Sequence, residues 1–179
     1  MIILFEGVDN SGKTTIAQEF ARMNNYSYFK YSSIDKQSIS DQQRQLVHEA
    51  EEMYSIALLK SLPFCNIVID RHYPSDYAYG QLYRNQSIKS IVKIDQAFAS
   101  LTNHLIVICH KNDSSFKHDD FIPHEDYDKL RSLYFEFFGF TDANAIMLDT
   151  TDQNLSTQIA MIQCNVHKVM LGQFSKVEL

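Results

Sequence analysis

The chain has 179 residues, 45% of them apolar and 21% charged. That length suits one domain with one core, since roughly 100–200 residues per core is usual, and the composition excludes a disordered chain. The net charge of -6, from 16 Lys and Arg against 22 Asp and Glu, argues against a protein that holds duplex nucleic acid by its phosphates, because that needs a basic face.

Ile2–Phe5 is a short apolar run and predicts a first strand. It meets a Gly-rich turn from Gly7 to Thr14, after which Ile16, Phe20 and Met23 recur at helical spacing. Tyr26–Phe29 predicts a second strand. Leu46, Ala50, Met53, Ala57 and Leu58 mark a second helix. Ile67–Ile69 and Leu105–Cys109 are apolar throughout and suit strands buried on both faces, as in a parallel sheet covered by helices. Between them Ile88, Ile91, Phe98 and Leu101 form a helical stripe that Asp95 interrupts. This stripe is a candidate either for core or for pairing two copies of the chain.

The stretch Lys111–His124 is polar, contains Asn112 and Pro123, and is the candidate for a mobile lid. Tyr127, Leu130, Leu133, Tyr134, Phe137 and Phe138 predict the next helix. Ala145–Leu148 predicts a fifth strand, and Leu155, Ile159, Ile162 and Val166 predict a last helix. Beyond Leu171 there is no clear pattern. Strand and helix alternate throughout, which predicts one α/β domain over residues 1–179 with a parallel sheet.

Cys65, Cys109 and Cys164 have no CxxC spacing and make no disulfide framework. Each lies beside apolar residues and is expected as a buried free thiol, which suits a reducing cytoplasm. Met1–Phe5 is too short for a secretory leader, and no apolar stretch nears the about 20 residues of a membrane span. A soluble cytoplasmic protein without membrane partners is expected.

Gly7–Thr14 fits Gly-x-x-x-x-Gly-Lys-Ser/Thr, between a strand and a helix as that motif requires. Gly7 and Gly12 let the backbone turn so that the N–H groups of Asn10, Ser11, Gly12, Lys13, Thr14 and Thr15, with the positive end of the helix, cradle phosphates. Lys13 is expected at the β- and γ-phosphates of ATP, and the Thr14 hydroxyl on Mg²⁺. The third strand ends in Asp70. In an open α/β sheet ligands sit at the carboxyl ends of strands, so Asp70 is aimed at the phosphate loop and is a candidate for Mg²⁺ or its water. Arg71 beside it offers a planar fork for a phosphate.

Two segments resemble the thymidylate kinase family. Phe5–Thr15 is similar to that family's FEGxDxxGKTT, and Asp70–Tyr79 to its DR(Y/H)xxSxxAY. The resemblance implies a P-loop kinase fold, three-layer α/β/α with a mostly parallel five-stranded sheet and a short lid. It implies Asp9 at the substrate sugar's 3′-hydroxyl, Arg71 on the acceptor phosphate and Asp70 near Mg²⁺ and the reacting groups. Ser75 and Tyr79 are expected to line the substrate pocket, and Tyr54 is the nearest candidate for an aromatic stacked on the base. Lys13, Asp70 and Arg71 are the candidate catalytic residues.

The chain departs from the family's pattern at several cations. Asn10 stands where many members carry a loop arginine. Lys111–His124 has no arginine, leaving Lys111, Lys117 and His118. Lys30 replaces the arginine of an FPxR-like turn. His110, His118 and His124 fit no zinc spacing, the Glu49, Glu51 and Glu52 cluster reads as a solvated helix face, and no GxSxG turn supports hydrolysis. The expected activity is ATP-dependent phosphorylation of a nucleoside monophosphate, dTMP or a related pyrimidine deoxynucleotide. The alternatives are a deoxynucleoside or DNA kinase of the same fold, and a P-loop nucleotide-binding regulatory protein.

Overall fold

The structure, a computed structural model, describes residues 1–31, 41–62, 65–84, 86–112, 122–151 and 154–178. The lid residues Lys117 and His118 lie outside them. The predicted strands form β1 (Ile2–Glu6), β2 (Ser27–Lys30), β3 (Ile67–Asp70), β4 (His104–His110) and β5 (Ala145–Asp149). A sixth, β6 (Val177–Glu178), pairs with β5 from the tail in which the sequence shows no pattern. All pairings are parallel, in the order β2-β3-β1-β4-β5-β6.

Successive strand residues point to opposite faces of the sheet, and the core divides accordingly. Ile3, Phe5, Val68, Leu105, Val107 and Ile146 pack with α1 (Lys13–Asn24) and α6 (Leu155–Met170). Ile2, Leu4, Ile67, Ile69, Ile106 and Ile108 pack on the other face with α2 (Asp41–Lys60), α3 (Tyr73–Arg84), α4 (Ile88–Ala99) and α5 (His124–Phe140). The result is the three-layer α/β/α arrangement that the alternation predicts. Of the α4 stripe, Ile91, Phe98 and Leu101 are buried in the core together with Ile94, whereas Ile88 is 45% exposed.

The second helix corrects the sequence reading. α2 forms, but Leu46, Ala50, Met53, Ala57 and Leu58 face outward, with Leu46 63% exposed. The buried positions are His48, Glu52, Ile56 and Leu59. Two of these are ionisable, so a hydrophobic count picks the wrong stripe. Glu52 is not solvated: it lies 2.5 Å from His72 Nδ1, and both side chains are 1% exposed. His72 Nε2 in turn is 2.6 Å from Ser55 Oγ. Of the three free cysteines only Cys109 is buried; Cys65 and Cys164 are exposed.

Asp95, the flaw in the α4 stripe, is 2% exposed. It accepts hydrogen bonds from Tyr73 Oη at 2.7 Å, Asp142 N at 2.8 Å and Thr141 Oγ1, and so ties α3 and the end of α5 to α4. A buried donor that loses its acceptor keeps its full desolvation cost. Asp95→Ala is therefore expected to destabilise the fold by about 3 kcal/mol in urea unfolding, and Asp95→Asn by less, since Asn can still accept from Tyr73 and Thr141.

Candidate phosphoryl-transfer site

The parallel register places Phe5 beside Asp70, and Arg71 N donates to Phe5 O at 2.9 Å. The loop after β1 and the turn after β3 therefore leave the sheet side by side. Gly7 is required where the loop leaves β1. Its φ is +133°, and a Cβ there would collide with the carbonyl oxygen of Cys109 on β4. Gly12 caps α1 with φ +84° and no side-chain cap bond. The first-turn N–H groups of α1, which have no partner within the helix, are thus open to a ligand at the loop.

Two further residues near the loop have left-handed backbones, Asn10 with φ 62° and Arg71 with φ 71°. Such conformations in non-glycine residues cluster at functional sites. Thr150, after β5, closes the far side of the loop: its hydroxyl lies 2.6 Å from Ser11 O and 2.9 Å from His110 O. Ser11 is buried, whereas Asn10 and Thr15 are exposed.

The side chains converge on Asp9. Lys13 Nζ donates to Val8 O at 3.3 Å and lies 3.4 Å from Asp9 Oδ1. Arg71 Nη2 reaches the same oxygen. Tyr79 Oη donates to Asp9 Oδ2 at 3.0 Å, and its ring lies 5.3 Å from Arg71 Cζ. Arg71 Nη1 donates to Ser75 Oγ at 3.0 Å. Burial works to raise the Asp9 carboxyl, but the charges of Arg71 and Lys13 and the Tyr79 hydrogen bond outweigh it and hold the group low. Burial and the Arg71 charge lower the Lys13 ammonium.

On the other side of Lys13, Asp70 is 0% exposed. Its Oδ2 accepts from Thr14 Oγ1 at 2.7 Å and from Tyr28 Oη at 2.9 Å. Its Oδ1 is buried and has no hydrogen-bond partner among the described residues. An orphaned carboxylate oxygen beside a phosphate-loop hydroxyl fits a hard cation, because Mg²⁺ takes few protein oxygens and keeps several waters.

The structure thus brings together Asp9, Lys13, Thr14, Asp70, Arg71, Ser75 and Tyr79. It does not bring Tyr54 to them: that side chain is 73% exposed on α2. Lys30 is exposed at the end of β2, beside Asp70 in register. Sequence reasoning missed four groups. Tyr28 and Thr150 carry no motif. Arg131, on α5 beyond the lid window, reaches Lys111 O at 3.5 Å and lines a cleft of about 460 Å³ with His110, Asn112 and Asp149.

The fourth is Glu6, the acidic residue of the Phe5-Glu6-Gly7 segment. It ends β1 fully buried. Its Oε1 accepts from His72 N at 2.5 Å and its Oε2 from Ser75 Oγ at 2.6 Å, with Tyr134 Oη at 3.4 Å. Burial pushes its carboxyl from 4.5 up to about 7, against the Ser75 hydrogen bond and the Arg71 charge, which lower it. Between these two values the native chain holds a proton that the unfolded chain has released. Stability therefore falls as pH rises from about 4.5 to about 7. Glu6→Gln lacks this loss. Its stability relative to wild type is expected to improve by roughly 3 kcal/mol between pH 4.5 and pH 8, read from urea midpoints.

No family model matches the chain, and no curated protein matches it. Solved structures do. The YorR protein of Bacillus subtilis, in complex with phosphorylated GDP, is 20% identical with a TM-score of 0.71, over 94% of this chain and 96% of that one. Thymidylate kinase from Candida albicans is 16% identical with a TM-score of 0.64, over 93% and 91%. Deoxyadenosine kinase from M. mycoides with bound dATP is 17% identical with a TM-score of 0.60, over 93% and 100%. The chain has the P-loop α/β fold that these thymidylate and deoxyadenosine kinases share.

Proposed function

We propose that this chain is an ATP- and Mg²⁺-dependent nucleoside-monophosphate kinase, with a pyrimidine deoxynucleotide, most simply dTMP, as acceptor. The observation that carries the reading is that Lys13 and Arg71 meet on one oxygen, Asp9 Oδ1. One cation belongs to the phosphate loop and the other to the turn after β3. Two phosphates held by these two side chains would lie next to each other, as transfer between them requires.

Phosphoryl transfer asks little covalent chemistry of a protein; positioning and charge neutralisation do most of the work. Loop N–H groups and Lys13 would hold the ATP phosphates. Arg71 would hold the acceptor phosphate, whose oxygen attacks the γ-phosphorus while the bond to the β-phosphate oxygen breaks and ADP leaves. Thr14 and Asp70 would hold Mg²⁺, which supplies neutralisation of the phosphate charge. Asp9 and Tyr79 sit where a sugar hydroxyl next to the acceptor phosphate would be met. Among the described residues Lys13 is held by long contacts, 3.3 Å to Val8 O and 3.4 Å to Asp9, which a phosphate would replace.

The test is transfer of labelled phosphate from Mg-ATP to dTMP, dUMP, dCMP, dGMP, dAMP, thymidine or a 5′-hydroxyl oligonucleotide. Transfer to at least one monophosphate is expected, with Lys13→Ala and Arg71→Ala each lowering kcat/KM by about 100-fold or more. Transfer only to thymidine or the oligonucleotide would sink the monophosphate assignment. ATP binding with no transfer to any acceptor would favour a nucleotide-binding regulatory protein.

A further inference from the structure

Glu6 has no part in the mechanism above, yet it is linked by one hydroxyl to the arginine assigned to the acceptor phosphate. The chain runs Arg71 Nη1 to Ser75 Oγ at 3.0 Å, then Ser75 Oγ to Glu6 Oε2 at 2.6 Å. Ser75 has one proton. While it gives that proton to Glu6 it has none to offer a ligand. If Glu6 carried a proton on Oε2, the direction would reverse: Glu6 would donate to Ser75 Oγ, and the Ser75 hydroxyl would turn outward as a donor beside Arg71. Tyr134 Oη, 3.0 Å from Ser75 Oγ, can adjust to either state.

We propose that Glu6 is a positioning residue which takes up a proton when an acceptor phosphate binds at Arg71, and that this reverses the Ser75 hydroxyl into a donor to that phosphate. The inference rests on the reading of Arg71 as the acceptor-phosphate holder.

The physical argument is one of charge. Glu6 faces Arg71 and His72 of the turn after β3, Tyr73 and Ser75 of α3, Tyr134 of α5, Lys13 of α1 and Cys109 of β4. Of these, Arg71, His72 and the Ser75 hydrogen bond lower its affinity for a proton, and burial raises it to the point where it titrates near neutrality. A phosphate dianion adds negative charge close by and draws Arg71 toward itself. Both changes favour the protonated carboxyl. Cys109 is buried, and that pushes its thiol up to about 12, so it is not the group that titrates.

The experiment is isothermal calorimetry of the five monophosphates, dTMP first, on the full chain at pH 7.5 in buffers of different ionisation enthalpy. The proton count per ligand bound is compared between wild type and Glu6→Gln. Wild type is expected to take up about half a proton more than the variant. Its affinity should fall about fivefold from pH 7 to pH 8.5 while that of Glu6→Gln stays level. Ser75→Ala, which removes a bond that holds the carboxyl down, should move the wild-type pH midpoint upward. It serves as the second variant if Glu6→Gln folds poorly. Binding with equal proton uptake in wild type and Glu6→Gln, or an unmoved midpoint in Ser75→Ala, would overturn this inference alone. Binding of none of the five would overturn it together with the reading of Arg71.

Discussion

Parallel pairing of β1 with β3 on one side and β4 on the other is the constraint on which the site depends. Because all three strands run the same way, their carboxyl ends finish together, and the residues that follow them meet without long connections. The phosphate loop follows β1, the Asp70–Arg71 turn ends β3, and His110 ends β4. The contact between Gly7 and Cys109 O fixes the loop's height above the sheet. Arg71 N bonding to Phe5 O fixes the turn beside it. An antiparallel neighbour would bring a strand's beginning to this edge and none of these groups.

What gathers there is a dense set of charges. Glu6, Asp9 and Asp70 face Lys13 and Arg71 with little water between them; Glu6, Asp70 and Lys13 are at most 5% exposed. At low effective dielectric such groups interact strongly, and a bare cation or carboxylate is costly. The pairs with Asp9 satisfy Lys13 and Arg71. Among the described residues Asp70 Oδ1 has no hydrogen-bond partner, and that oxygen is the one the proposed Mg²⁺ would engage.

The parts legible in the sequence are those that demand a special residue type. The loop needs glycine at two places and a Lys-Thr pair, and the turn needs Asp-Arg at a strand end, so both can be read from letters. β1, β3, β4 and β5 are legible because burial on both faces leaves them almost wholly apolar, whereas β2, exposed at Ser27, Phe29 and Lys30, is legible only from Tyr26, Tyr28 and Phe29. α2 is not. Its inner face holds His48 and Glu52, which count as polar until His72 and Asp76 are known to lie opposite, His48 Nδ1 being 3.5 Å from Asp76 Oδ2. Glu6 and Arg131 are hidden for a related reason: the partners of Glu6 are 66 or more residues away, and Arg131 lies 20 residues from Lys111, the carbonyl it reaches, outside the polar stretch that suggests a lid. The family resemblance points to Tyr54 as a base-stacking aromatic, and α2 turns that side chain outward.

The left-handed backbones of Asn10 and Arg71 carry one more consequence. A side chain in that region costs on the order of 1–3 kcal/mol where glycine would be relaxed. Among the described residues Asn25 and Asn103 share this backbone, so Arg71 is the one of the four that is not an asparagine, the residue type that tolerates it best after glycine. Selection for stability alone would favour glycine at Arg71, and would remove the arginine in doing so. In this chain a more stable backbone and the proposed site are in conflict at Arg71.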